Sequence, residues 1–150
     1  MTRYVCTGRF PVIQAGVEYF LSEYPMVRPH IESVCVGSLS GTMTAGAFRS
    51  SRRIVFEPMR FSKYSLLKQR HVVLHECYHQ AQFYMEANGL KVILDFAPKE
   101  DPRIDVSRLC VSDQETFAEI GAYWLADRRR CSDLIQYNGR LIHCVLRGVS

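Results

Sequence analysis

Apolar residues recur at helical spacing over several long stretches of the chain and crowd into short runs between them. That contrast predicts the order of elements. Residues 10–24 place Val12, Ile13, Ala15, Val17, Phe20 and Leu21 on a helical stripe that Pro25 ends. Residues 31–36 have strand character, and two further strands are predicted at Thr42–Phe48 and Arg53–Glu57. The polar Arg49-Ser50-Ser51-Arg52 between them suggests a small antiparallel hairpin, whose second strand Pro58 closes. The strongest helix runs from Tyr64 to Asn88, with Leu66, Leu67, Val72, Val73, Leu74, Phe83 and Met85 as apolar positions and Gly89 as C-cap. Leu90–Phe96 reads as an extended segment and residues 97–102 as a loop. Another helix is predicted from about Asp113 to Arg129, capped by Ser112 or Asp113. Residues 132–147 admit two readings. Leu134, Ile135, Leu141, Ile142, Val145 and Leu146 fit a helix capped by Ser132 or Asp133, while Asn138-Gly139 suits a hairpin turn. The helix is preferred.

Composition narrows the class without choosing a function. The 150 residues suit a single domain (1–150) with a sizeable core, and the apolar and charged fractions of 47% and 23% are ordinary for a globular protein. No apolar run approaches the roughly 18 residues of a membrane span, and residues 1–9 lack the apolar core of a secretory signal. The expected address is therefore cytoplasmic. Six scattered cysteines (6, 35, 77, 110, 131, 144) form no CxxC pair and read as free, mostly buried thiols. The net charge of +4 is mild. Arg128-Arg129-Arg130, at the end of a predicted helix, reads as a solvated complement to the helix dipole, so nucleic acid is not indicated as a partner.

Chemistry concentrates in His75-Glu76-Cys77-Tyr78-His79. On a helix the two histidines share a face one turn apart, and Glu76 lies about 100° further round. This layout holds a zinc ion while leaving a carboxylate within reach of a water on it. A glutamate directly after His75 is not required by an ordinary pair of helix histidines, nor by a closed structural zinc site. His71 lies on the same face, but it is eight residues from His79, about 12 Å along the axis, against metal–nitrogen bonds of about 2 Å. It reads as a surface or packing histidine. The third ligand must come from elsewhere, and Glu115 and Glu119, four residues apart on the next helix, are the best supply. One can bind the metal while the other accepts a hydrogen bond from the far nitrogen of a ligand histidine.

HExxH followed by a helical ExxA(D/E), here Glu115-Thr116-Phe117-Ala118-Glu119, resembles the gluzincin metallopeptidases, in particular the small minigluzincin type. The resemblance covers roughly residues 42–127. It implies an α+β, zincin-like fold, in which a small antiparallel or mixed sheet packs on an active-site helix and a second helix bears a ligand. It implies Zn2+ held by His75, His79 and Glu115, with Glu76 as general base and Glu119 supporting a ligand histidine. Two departures stand out. The spacer from His79 to Glu115 is long, and Glu119 occupies a place where many relatives carry Asp, so the two glutamates can exchange roles.

The implied activity is zinc-dependent hydrolysis of peptide bonds in a protein or peptide substrate. Tyr78, Tyr123 and His143 are candidates to stabilise the oxyanion. The Arg53–Glu57 strand is expected at the sheet edge, where an extended substrate pairs with it. Residues 90–111 are expected to wall or cover the cleft, and residues 132–150 could occupy it in a latent form. Two other classes share the motif. A nucleic-acid-associated protease of the SprT kind takes a third histidine and a separate basic or zinc-ribbon module, neither of which is evident. A non-catalytic binding module with this fold would have no use for Glu76.

Overall fold

A computed structural model describes residues 1–94 and 113–148. The chain is mixed α and β. A four-stranded sheet is formed by β1 (Arg3–Val5), β2 (Ser33–Val36), β3 (Ala45–Phe48) and β4 (Arg53–Phe56). The helices are α1 (Pro11–Glu23), α2 (Pro58–Ser62), α3 (Leu66–Ala87), α4 (Asp113–Ala126) and α5 (Asp133–Arg147). Two 3-10 turns lie at Pro25–His30 and Arg128–Arg130.

Strand order is β1-β2-β4-β3. β1 and β2 are parallel and joined through α1, β2 and β4 are parallel with Val34 opposite Ile54, and β3 runs antiparallel to β4 with Ala47 opposite Ile54. This corrects one expectation. The Arg53–Phe56 strand is not the edge, because hydrogen bonding to β2 on one side and β3 on the other uses both its flanks. Its Ile54, Val55 and Phe56 are buried accordingly, as in a strand covered on both faces. The edge beside α3 is β3. Buried Gln80 of α3 ties the hairpin to that helix by donating from Nε2 to the backbone carbonyls of Arg53 (3.1 Å) and Phe48 (3.4 Å).

α3 is the central element, packed against α1, α4 and β3. Ser65 caps it, its hydroxyl accepting from the Lys68 amide at 3.3 Å, and Gly89 follows with φ +65°. Its buried residues Val73, Leu74, Cys77, Tyr78 and Ala81 join one core with Ile13, Val17 and Phe20 of α1 and Phe117, Ala118 and Ile120 of α4. Close approach depends on small residues. A Cβ at Gly121 of α4 would lie 2.6 Å from the Tyr78 ring, and one at Gly139 of α5 would lie 2.2 Å from Trp124.

Gly139 also decides the C-terminal segment. Asn138-Gly139 makes no hairpin turn; it lies inside α5, with Gly139 under the Trp124 ring and Asn138 donating to the Leu134 carbonyl at 2.9 Å. α4 ends at Ala126, three residues before Arg129. Pro58 opens α2 rather than only closing a strand, and Glu57 caps it by accepting from the amides of Arg60 (2.7 Å) and Met59 (3.3 Å). Residues 91–94 belong to no strand, and the predicted loop at 97–102 and the cap at Ser112 lie outside the described residues. Of the five described cysteines, all free thiols, only Cys77 is buried, so the expectation of mostly buried thiols is corrected. Among the described residues no helix is long and apolar enough to cross a membrane.

Candidate metal centre

α3 and α4 lie side by side with functional residues at i,i+4 spacing on each: His71, His75 and His79 on one, Glu115, Glu119 and Tyr123 on the other. The pairing is that of antiparallel neighbours, so the series run in opposite directions. Glu115 reaches His75 and His79, Glu119 reaches His71 and His75, and Tyr123 stacks on His71. Gly121 makes the approach possible by letting the α4 backbone lie on the Tyr78 ring.

The Nε2 atoms of His75 and His79 are 3.1 Å apart, and the Glu115 carboxylate lies 3.2 Å from the first and 3.0 Å from the second. Ligands of a tetrahedral ion with bonds of 2.0–2.1 Å stand about 3.3 Å apart, so this triplet has the spacing of three ligand atoms around one ion. The Nδ1–H of His79 donates to Gln82 Oε1 at 2.9 Å, which turns the lone pair of His79 Nε2 towards the carboxylate. Two imidazole nitrogens and a carboxylate at such distances require positive charge among them, supplied by protons or by a cation. The second nitrogen of His75 fits the same picture. Its Nδ1 is buried and makes no aligned hydrogen bond, although it lies 2.5 Å from Glu119 Oε1. A second triplet, His71, His75 and Glu119, also places its donor atoms within 4.8 Å of one another.

The electrostatics follow from this crowding. Burial alone would lower the His75 pKa, but Glu115 and Glu119 outweigh it and push it up to about 10. Contact with His75 and His79 holds Glu115 well below the usual carboxylate range. Glu119 is likewise held low, because His71 and His75 overcome the effect of its burial. Glu76 is buried, and that burial raises its pKa against the pull of His75 and His79. A carboxylate with raised proton affinity, beside a triplet that could hold a metal ion, is equipped to accept a proton.

His71, His75, Glu76, Glu115, Glu119 and Tyr123 line a cleft of about 1150 Å³. Thr42–Ala45, on the approach to the edge strand, and Ala126 at the C-terminal end of α4 also line it. None of the described residues lining it comes from α5, so residues 133–147 do not plug it. Residues 95–111 of the expected lid lie outside the described residues. Of the three candidate oxyanion donors, only Tyr123 lines the cleft. Tyr78 is fully buried, its hydroxyl 3.2 Å from that of Tyr24, and His143 bonds to the Tyr24 hydroxyl at 2.9 Å. The arginine run is divided: Arg128 stacks on Trp124 at 4.2 Å and lies 3.3 Å from Glu23, while Arg130 pairs with Asp127 at 3.5 Å.

Sequence reasoning missed two residues. Gln82 stands one turn beyond His79, and an amide at i+3 from a candidate ligand histidine is a signal that can be read. His71 cannot share an ion with His79, and its position along the helix reads as surface or packing. Its contact with Glu119 depends on how two helices pair, which its spacing along one helix does not reveal. The site thus defines the chain by a helix pair whose His/Glu cluster is able to hold a metal ion. Comparison with protein-family models, with curated proteins and with solved structures finds no match to this chain.

Proposed function

We propose that the chain is a zinc-dependent endopeptidase with a zincin-like arrangement, in which His75, His79 and Glu115 hold Zn2+. The observation that carries this reading is the 3.0–3.2 Å mutual spacing of the three donor groups, two of which, His75 and Glu115, line one cleft with Glu76. Two imidazoles and one carboxylate suit zinc, and three protein ligands leave a position open to water or substrate. When bound, zinc lowers the pKa of a coordinated water towards about 7 and polarises a substrate carbonyl.

The protein's own groups supply the rest. Glu76 accepts the proton of the attacking water and returns it to the leaving amine. Glu119 and Gln82 orient the ligand imidazoles through their Nδ1 atoms. Tyr123, on the cleft wall one turn beyond Glu119, is the hydroxyl assigned as donor towards the developing oxyanion. An extended protein or peptide substrate adds to the free edge of β3, whose approach, Thr42–Ala45, already lines the cleft.

The test is zinc content together with cleavage of an unstructured protein such as casein, for wild type and Glu76→Gln. The expected result is one zinc per chain in both and activity only in the wild type. A wild type that binds no zinc would overturn the reading, as would an active Glu76→Gln.

A further inference from the structure

We infer that His71 is a positioning residue of the candidate centre, holding Glu119 against His75 and the Tyr123 ring against the cleft. The inference rests on the metal-binding part of the proposed function and not on peptide hydrolysis. Glu119 Oε1 lies 3.1 Å from His71 Nε2 and 2.5 Å from His75 Nδ1, so one carboxylate oxygen serves two imidazoles a helical turn apart. The His71 ring also packs on Tyr123, with centroids 4.3 Å apart and planes inclined by 38°. The side chains of His71 and Glu119 are only 17% and 15% exposed, so water competes little for their contact.

A glutamate has three rotatable bonds, and a single contact to His75 leaves its carboxylate free to turn away. The second contact, from His71, fixes the oxygen from another direction. The orientation of a ligand imidazole is set by the partner on its far nitrogen, so whatever fixes Glu119 also fixes His75. The competing assignment is a cation held by His71, His75 and Glu119. The 2.5 Å contact opposes it, because two ligands of one tetrahedral ion stand about 3.3 Å apart.

The test loads wild type, His71→Ala, His71→Gln and His71→Asn with Co(II) alone, recording stoichiometry, the visible ligand-field spectrum and affinity against a competing chelator. Glutamine places its amide nitrogen near the position of Nε2 and can still donate to Glu119; asparagine is too short. The expected result is one Co(II) per chain throughout, with roughly tenfold weaker binding and a shifted spectrum in the alanine and asparagine variants, and recovery in the glutamine variant. If His71→Ala does not fold by circular dichroism, the glutamine and asparagine pair gives the same comparison. Unchanged affinity and spectrum in all variants overturn the inference. So does Co(II) uptake abolished in every variant, which would make His71 a ligand. A wild type that takes up no Co(II) overturns the metal centre and His71's role together, whereas Co(II) binding without proteolysis overturns only the peptidase reading.

Discussion

In the metal-free protein His75 should keep its proton far into the alkaline range. Its imidazole sits between Glu115 and Glu119, and they push its pKa up to about 10 from an ordinary 6.5. That rise corresponds to on the order of 5 kcal/mol, at about 1.4 kcal/mol per tenfold change in proton affinity. Because the folded value is raised, the stability it contributes is fully present below about pH 6.5 and drains away as pH climbs towards 10. Glu115 and Glu119 act in the opposite sense. Their folded values are lowered, so their contribution is present above about pH 4.5 and is lost on acidification. Chelator-treated protein should therefore be most stable between about pH 4.5 and 6.5, and by pH 10 its Tm should fall by on the order of 10 °C. The assay is thermal unfolding across this range beside His75→Asn, with the His75 ring proton followed by NMR. A ring titration midpoint below about 7.5, or the same alkaline slope in His75→Asn, would refute the reasoning.

Three further outcomes separate the roles assigned to individual residues. Glu115→Ala should abolish zinc binding while Glu119→Ala weakens it about 10- to 100-fold, measured by chelator competition; the reverse order would exchange the two glutamates. Tyr123→Phe should lower kcat by about 10²-fold with KM nearly unchanged, in a casein-derived peptide assay. Gly139→Ala should lower stability by about 1–3 kcal/mol in urea titration, because the added Cβ would meet Trp124 at 2.2 Å.

Local periodicity was enough to read the long elements. α1, α3 and α5 start and stop within about two residues of the predicted limits, helped by Pro25, Gly89 and Ser132, which mark ends chemically. The β3–β4 hairpin was legible too, although β3 begins three residues after its predicted start at Thr42. The parallel pairing of β2 with β4 was not, since it joins segments about 20 residues apart and nothing in either strand specifies the partner. Assigning β4 to the edge followed directly from that gap. β1, with three residues, is too short to carry a pattern. The Asn138-Gly139 ambiguity was decided by packing: the glycine is required by Trp124, a residue on another helix.

The candidate site divides along the same line. The spacing of His75 and His79 and that of Glu115 and Glu119 are properties of single helices and could be read from the sequence. How the two series interleave depends on the antiparallel apposition of α3 and α4, and that apposition gives His71 its partner. It also bears on why the second acid is a glutamate. One Glu119 oxygen meets His71 and His75 at once, at 3.1 and 2.5 Å. An aspartate, shorter by one carbon–carbon bond of about 1.5 Å, would keep at most one of those contacts without movement of the helices. The long side chain at position 119 and the histidine at 71 are therefore coupled choices, each useful because the other is present.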